Sequence, residues 1–167
     1  MPVRRLEKYL DSRDIPYMVI RHSKAYTAQE VAHAAHVPGK ELAKTVMVKI
    51  DDNLAMAVLP AIFNVDFELL REASGAKVVM LAGEEDFQQM FPECEIGSMP
   101  PFGNLYGIET YVAQSLVENE DICFSAGSHS ELVQMKFRDF QGLVEPKVAR
   151  ISRRRRTPAG SAWNPGD

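Results

Sequence analysis

The chain has 167 residues, of which 46% are hydrophobic and 25% are charged. These proportions exclude a fibrous or largely disordered chain, and the length fits one domain that buries about two-thirds of its unfolded surface. The longest apolar run, over residues 55–65, is interrupted by a proline and an asparagine and is too short to span a membrane. The charged N-terminus lacks the apolar core of a signal peptide, so we expect a cytoplasmic protein with no membrane partner.

The charge is unevenly distributed along the chain. The whole sequence carries a net charge of −4, but the part before Arg150 has 14 basic and 22 acidic residues. A body this acidic disfavours binding a long nucleic acid over a wide surface, so we expect no DNA partner and, for RNA, contact at a small pocket. We predict one domain over residues 1–149 and a basic, disordered tail over residues 150–167.

The cysteine and histidine spacings do not predict a metal site. Cys94 and Cys123 stand 29 positions apart, without the CxxC spacing of zinc or redox sites. The four histidines form neither an HExxH motif nor another paired-ligand pattern. We therefore expect buried or incidental thiols, no metal and no cofactor.

Hydrophobic periodicity and turn residues predict the secondary structure in chain order. Thr27 and Glu30 form a capping box that begins the second helix, and Asp66 and Gly75 are placed to begin and end the third. The predicted elements are a helix over 3–13, a strand over 17–20, a helix over 27–35, a strand hairpin over 45–50 and 54–59, a helix over 67–73, a short buried strand over 78–81, a helix over 83–90, strands over 108–112, 122–125 and 132–137, and a final helical segment over 139–144. Strands outnumber helices and follow one another as hairpins. This order predicts an α+β fold with a mostly antiparallel, twisted or barrel-like sheet flanked by helices.

A loop over residues 94–107 is the most unusual stretch of the sequence. It contains three glycines and the adjacent Pro100 and Pro101, so it can be neither a helix nor a central strand. Such a loop can hold the amides around Gly97 and Met99 towards one spot, as a backbone anion or oxyanion site does. The alternative is a tight connection between two sheet elements that binds no ligand.

Five segments occur together in one order: ELAKTVMVK around Lys44, AVLPA, VD, GSMPPFG from Gly97, and AGSH ending at His129. In this order and at these separations they resemble the YbaK family of aminoacyl-tRNA deacylases. The same domain is found inserted in bacterial prolyl-tRNA synthetases as an editing module. The resemblance spans about residues 3–146. It implies a free-standing editing enzyme that hydrolyses the ester of a mischarged tRNA at the tRNA 3′ end, with an aminoacyl-tRNA synthetase as a second candidate partner.

The resemblance also implies which residues form the site. The lysine of the family corresponds to Lys44, and its glycine-x-x-x-proline loop corresponds to Gly97 and Pro101, so these three are the expected catalytic residues. A histidine that only some branches carry corresponds to His129. The residues that we expect to contact the substrate are Tyr26, Met47, Ser98, Met99, Phe102, Gly127 and His129. For Met47, ordinary core packing is the stronger alternative.

Ester hydrolysis passes through a tetrahedral oxyanion, and one fixed hydrogen-bond donor to it is typically worth about 3 to 4 kcal/mol. The loop amides are candidate donors, and Lys44 is expected to bind the ester carbonyl or the terminal phosphate. The sequence has no GxSxG motif, so we expect attack by a water molecule and not by a protein nucleophile. Either the loop orients that water, or the neighbouring ribose hydroxyl of the substrate acts as its base.

Two rival interpretations remain open. A noncatalytic module that binds tRNA ends or a synthetase would use the same fold, and an esterase for small metabolites would use the same chemistry. The sequence does not identify the amino acid that is removed.

Overall fold

The computed structural model describes residues 3–25 and 27–154. The helices are α1 (Arg4–Ser12), α2 (Ala28–Ala35), α3 (Phe67–Ser74), α4 (Glu84–Phe87), α5 (Gln114–Val117) and α6 (Phe137–Val144), with 3₁₀ turns at Gln88–Met90 and Gly103–Leu105. The strands are β1 (Met18–Arg21), β2 (Leu42–Ile50), β3 (Asn53–Pro60), β4 (Phe63–Val65), β5 (Val79–Leu81), β6 (Glu109–Ala113), β7 (Asp121–Ser125), β8 (Glu131–Lys136), β9 (Lys147–Ala149) and β10 (Ser152–Arg154). Among these residues, no helix is long and apolar enough to cross a bilayer.

Eight strands form one open sheet in the order β1-β8-β7-β2-β3-β6-β9, with β5 paired to the end of β2, and β4 pairs with β10 separately. In the described part of the chain, five of the eight strand pairings are antiparallel; β2–β7, β3–β6 and β6–β9 are parallel. The predicted α+β class and the mostly antiparallel sheet are therefore confirmed.

The main core lies beneath the loop of residues 94–107 and holds that loop in place. Phe102 is fully buried, and its ring centroid lies 5.5 Å from that of Phe124 and 5.4 Å from that of Phe140. Helix α1 adds Leu6 and Leu10 to the same cluster. Because the interior is close-packed, a loop anchored by a buried aromatic ring has little freedom to shift.

The helix boundaries follow the capping signals in the sequence. The Oγ1 of Thr27 accepts a hydrogen bond from the Glu30 amide at 3.1 Å, and Asp66 Oδ1 accepts one from the Leu69 amide at 3.0 Å. Gly75 ends α3 in the left-handed conformation. These predictions are confirmed because each depends on residues within one turn of the chain.

Two predicted elements differ from the structure. The strand predicted as buried, β5, is instead an edge strand whose Met80 and Leu81 are 50% and 62% exposed. It pairs on one side only, with the last residues of β2, so its apolar residues have little to pack against. The single helix predicted over residues 83–90 is divided into α4 and a 3₁₀ turn.

Ordered structure continues a few residues past the predicted domain boundary at Arg150, and the boundary itself stays a prediction. Ile151 is fully buried in a core cluster, separate from the main one, that also contains Val65 of β4 and Leu70 of α3. Its carbonyl accepts a hydrogen bond from the Asp66 amide at 2.8 Å. Residues Ser152–Arg154 then pair with β4. A single isoleucine within a run of arginines gives no hydrophobic periodicity, so the sequence did not predict that this segment is ordered. The remainder of the predicted tail, residues 155–167, lies outside the described residues.

We expect the variant Ile151→Ala to lose about 2 to 5 kcal/mol of unfolding free energy, because it leaves a cavity in the core. For a chain of this size the melting temperature should fall by roughly 5 to 15 °C. Differential scanning calorimetry measures it, with Val148→Ala as the control because Val148 is 38% exposed on the neighbouring strand β9. Equal melting temperatures for the two variants would show that Ile151 is not a core residue.

Candidate functional site

One pocket brings together residues from β2, from α2, from the loop of residues 94–107 and from the turn that follows β7. We call it the Lys44 pocket. It encloses about 390 Å³, including the space at its open mouth. Its lining residues are Val31, Leu42, Ala43, Lys44, Thr45, Gly97, Met99, Ser125 and His129.

Lys44 is held on a central strand of the sheet. Its neighbour Ala43 pairs with Pro60 of β3 on one side and with Phe124 of β7 on the other. Lys44 itself pairs with Leu59, and its side chain is partly buried. Because both edges of β2 are paired here, the backbone that carries the ammonium group is fixed.

The loop and the turn that carries His129 are joined by backbone hydrogen bonds. The Glu95 amide donates to the Gly127 carbonyl at 2.9 Å, and the Gly127 amide donates to the Ser98 carbonyl at 2.8 Å. Ser98 also closes its own turn, since its amide and its hydroxyl donate to the Glu95 carbonyl at 3.1 and 2.6 Å. The two glycine-containing turns of the sequence therefore form one rigid unit beside Lys44.

Two amides of this unit have no hydrogen-bond partner among the described residues. Gly97 and Met99 both line the Lys44 pocket, and neither of their amides donates a hydrogen bond to another residue within 3–25 and 27–154. Gly97 has φ of 87°, a left-handed conformation that favours glycine. Amides in folded proteins are nearly always paired, so two unpaired donors in one pocket fit an anion or a polarised carbonyl.

His129 also lines the Lys44 pocket. Its side chain is 11% exposed, and its Nε2 lies 3.7 Å from Oε2 of Glu95. The ring lies against Gly97, since a Cβ added to that glycine would stand 3.7 Å from Cε1 of His129. The imidazole thus lines the pocket, and the Glu95 carboxylate lies near it without being a lining residue.

The other predicted site residues support the loop and do not line the pocket. Ser98 is fully buried, Pro101 is buried next to it, and Phe102 is in the aromatic core. Met47 belongs to that same core cluster, which agrees with the core-packing alternative given for it. Gly127 has φ of 113° and lies so close to Val3 that a Cβ would collide with the valine side chain. Tyr26 lies outside the described residues.

Five lining residues were not predicted from the sequence: Val31, Leu42, Ala43, Thr45 and Ser125. Thr45 follows Lys44 directly, so the KT pair was the available signal. Ser125 ends β7 and comes next to Leu42 and Ala43 only through the parallel β2–β7 pairing, which sequence periodicity does not reveal.

Neither cysteine is suited to act as a nucleophile. Burial raises the pKa of Cys94 to about 11 and that of Cys123 to about 12. Both thiols are therefore protonated near neutral pH, and the thiolate is the reactive form of cysteine. Neither cysteine lines the Lys44 pocket.

The comparison with family models identifies the class of protein. The model of the aminoacyl-tRNA editing domain matches residues 22–143, which include every lining residue of the Lys44 pocket. The match covers well over half of the chain, so this protein belongs to the aminoacyl-tRNA editing domain family, and the predicted family resemblance is confirmed. No curated protein matches the chain.

Solved structures share the same fold. A hypothetical protein superposes with a TM-score of 0.80 at 19% identity, covering 90% of this chain and 100% of its own. A proposed trans-editing enzyme for prolyl-tRNA synthetase gives a TM-score of 0.76 at 18% identity, covering 90% and 96%. A proposed signal-transduction protein of Marinobacter aquaeolei gives 0.72 at 15% identity, and the match covers 91% of this chain and 31% of that longer one.

Proposed function

We propose that this protein is a free-standing aminoacyl-tRNA deacylase that removes a wrong amino acid from the 3′-terminal adenosine of tRNA. The observation that carries the proposal is the convergence of Lys44 with the unpaired amides of Gly97 and Met99 on one pocket. Membership of the editing-domain family supports the same reaction. The protein would act in the cytoplasm on tRNA in trans, and an aminoacyl-tRNA synthetase is the second candidate partner.

The proposed reaction needs no protein nucleophile. A water oxygen attacks the ester carbonyl carbon and gives up a proton to the neighbouring ribose hydroxyl as that hydroxyl passes its own proton on, and the carbonyl oxygen becomes an oxyanion. The oxyanion then collapses, the ester bond to the ribose breaks, and the leaving ribose oxygen takes up the relayed proton, which gives a free amino acid and a ribose hydroxyl. The amides of Gly97 and Met99 would donate to the oxyanion, and the Lys44 ammonium would bind it or the terminal phosphate. Donors already fixed by the fold do not have to reorganise during the reaction, which is why they stabilise the oxyanion more than water does.

The pocket walls favour a small amino acid. The space in the pocket is about 390 Å³ even with its open mouth included, and the apolar side chains of Val31, Leu42 and Met99 form part of its wall. A synthetic site rejects a smaller analogue only about 10- to 200-fold per methylene group, so a second and smaller site supplies the missing selectivity. We therefore infer that the substrate carries a short side chain.

A panel of mischarged tRNAs tests the proposal. The purified protein is incubated with tRNAs carrying alanine, cysteine, serine or threonine, and loss of the ester is followed over time. Release of at least one amino acid is expected, with correctly charged cognate tRNAs left intact. If no member is deacylated, a noncatalytic module that binds tRNA ends or a synthetase becomes the better interpretation. Equal cleavage of free aminoacyl esters would indicate a small-molecule esterase.

We expect His129→Ala to change which amino acid is removed more than it changes the overall rate, because the ring lies beside Gly97 at the pocket wall. The same panel measures this as a change in relative rates. His33→Ala is the control, since His33 is exposed on α2. A uniform loss of about 100-fold or more across all substrates would instead assign His129 to proton transfer.

A further inference from the structure

A second cleft lies beside β10, and three of its eight lining residues are arginines. We call it the arginine cleft. It spans about 740 Å³, including the open solvent at its mouth, and its lining residues are Phe63, Gln114, Ser115, Glu118, Arg150, Ser152, Arg153 and Arg154. We propose that the arginine cleft binds the phosphate backbone of the tRNA strand whose 3′ end enters the Lys44 pocket. This inference rests on the proposed function.

The positive charge of the cleft is not neutralised by the protein. Arg150, Arg153 and Arg154 are exposed, and within residues 3–25 and 27–154 no ion pair joins them to a carboxylate. Glu118 is the one acidic residue among the lining side chains. The part of the chain before Arg150 is strongly acidic, so this group of arginines stands out as a local site for an anion.

The fold holds these arginines in position. Ile151 is anchored in the core between Arg150 and the other two, and Arg153 and Arg154 pair with Asn64 and Phe63 of β4. Arginines on a paired strand lose less conformational freedom on binding than arginines on a loose tail. Their planar guanidinium groups match phosphate oxygens with two parallel hydrogen bonds each.

A further polar group faces the same cleft. The Oγ of Ser115 is buried and has no hydrogen-bond partner among the described residues. Burial of a hydroxyl without a partner is costly, and this one would gain a partner if the cleft wall shifted to let a phosphate oxygen reach it. Phe63 is the only large apolar lining residue, whereas a protein partner would ordinarily require several apolar anchors. The lining therefore favours a phosphodiester backbone over a peptide.

The cleft is close enough to the Lys44 pocket for one strand to contact both. Arg154 pairs with Phe63, which is two residues from Ala61, so the Cα atoms of Phe63 and Ala61 lie within about 8 Å. The Ala61 amide donates to the carbonyl of Leu42 at 2.8 Å, and Leu42 lines the Lys44 pocket. The end of β10 is therefore connected to Leu42 at the pocket wall by three short backbone steps, and we infer that a few nucleotides span the distance between the two sites.

The test compares two full-length variants that lose the same charge. The first is Arg150→Gln, Arg153→Gln and Arg154→Gln combined. The control combines Lys8→Gln, Lys77→Gln and Arg138→Gln, three exposed positions on other elements. Binding of a fluorescently labelled, uncharged tRNA transcript is measured by anisotropy between about 50 and 200 mM salt. Melting temperatures of both variants are measured alongside.

The arginine variant should bind roughly tenfold more weakly at low salt, and its slope of log affinity against log salt should fall by about 2 to 3, since each lost phosphate contact removes about 0.7 to 0.9. The control should keep most of the wild-type slope. If the arginine variant keeps the wild-type affinity and slope for the tRNA transcript, the inference is overturned. If it keeps them but no longer binds a polyglutamate peptide that the wild type binds, the cleft is assigned to an acidic protein instead.

Deacylation separates this inference from the proposed function. With saturating protein in single-turnover conditions, the arginine variant should reach the wild-type rate but need a higher protein concentration to do so. If the wild type deacylates no tRNA while the arginine variant still loses affinity and slope, the proposed function fails and the RNA-binding cleft stands. If the wild type deacylates tRNA and the arginine variant requires no higher concentration, the cleft is refuted and the deacylase stands.

Discussion

Replacing Lys44 with alanine is expected to slow deacylation of the best panel substrate by about 100- to 1,000-fold, which is the usual effect of removing one charge-stabilising donor from an ester-hydrolysing site. Lys44 lines the pocket together with Gly97 and Met99, whose amides are the other two proposed donors. Single-turnover kinetics with protein in excess measures the chemical step without interference from product release.

The matched control for this prediction is Lys49→Ala. Lys49 is on the same strand as Lys44, but its ammonium pairs with Asp86 at 3.0 Å and does not line the Lys44 pocket. It should retain a rate within a few-fold of wild type, since its ion pair lies outside the pocket and is partly open to solvent. If the two variants lose activity equally, Lys44 has no special role in the reaction.

The second large effect is expected for Gly97→Ala. At φ of 87° an alanine is strained by about 1 to 2 kcal/mol, and relief of that strain would rotate the Gly97 amide away from the pocket. The added methyl group itself meets only Cε1 of His129, at an ordinary contact distance of 3.7 Å. We expect a rate loss of about 10- to 1,000-fold, because the displaced donor acts only on the transition state.

Gly107→Ala separates the catalytic effect from backbone strain. Gly107 ends the same loop with φ of 71°, has no atom within 4 Å of its added Cβ, and does not line the Lys44 pocket. Both variants should lose a similar amount of stability on thermal unfolding, but Gly107→Ala should keep nearly the wild-type rate. A similar rate loss in both would attribute the effect of Gly97→Ala to general destabilisation.

The sequence predicted well those features that depend on nearby residues. The Thr27 and Asp66 caps, the hairpin of β2 and β3, and the glycine-proline loop all follow from chemistry within a few positions. The loop, Lys44 and the turn of His129 were also identified as site candidates. Their meeting in one pocket was expected from the family resemblance, and the structure places all three there.

The features that the sequence did not predict depend on contacts between distant segments. Ser125 reaches the pocket through a parallel strand pairing, and Ile151 is buried by residues from β4, α3 and β6. Met47 and Phe102 are apolar, as residues of a pocket wall often are, but both belong to the main core cluster. Apolar side chains at a strand or loop have two possible faces, and only the packed structure decides between them.

A crystal structure with adenosine carrying an amino acid through a 3′-amide linkage tests the central claim most directly, because that linkage resists hydrolysis while retaining the carbonyl. We predict that the amino acid lies in the Lys44 pocket, with its carbonyl oxygen about 3 Å from the amide nitrogen of Gly97 or Met99. The Lys44 ammonium should contact the same oxygen or the adjoining ribose and phosphate side of the ligand. A ligand bound at another surface, or one whose carbonyl points away from both amides and from Lys44, would contradict the proposed chemistry.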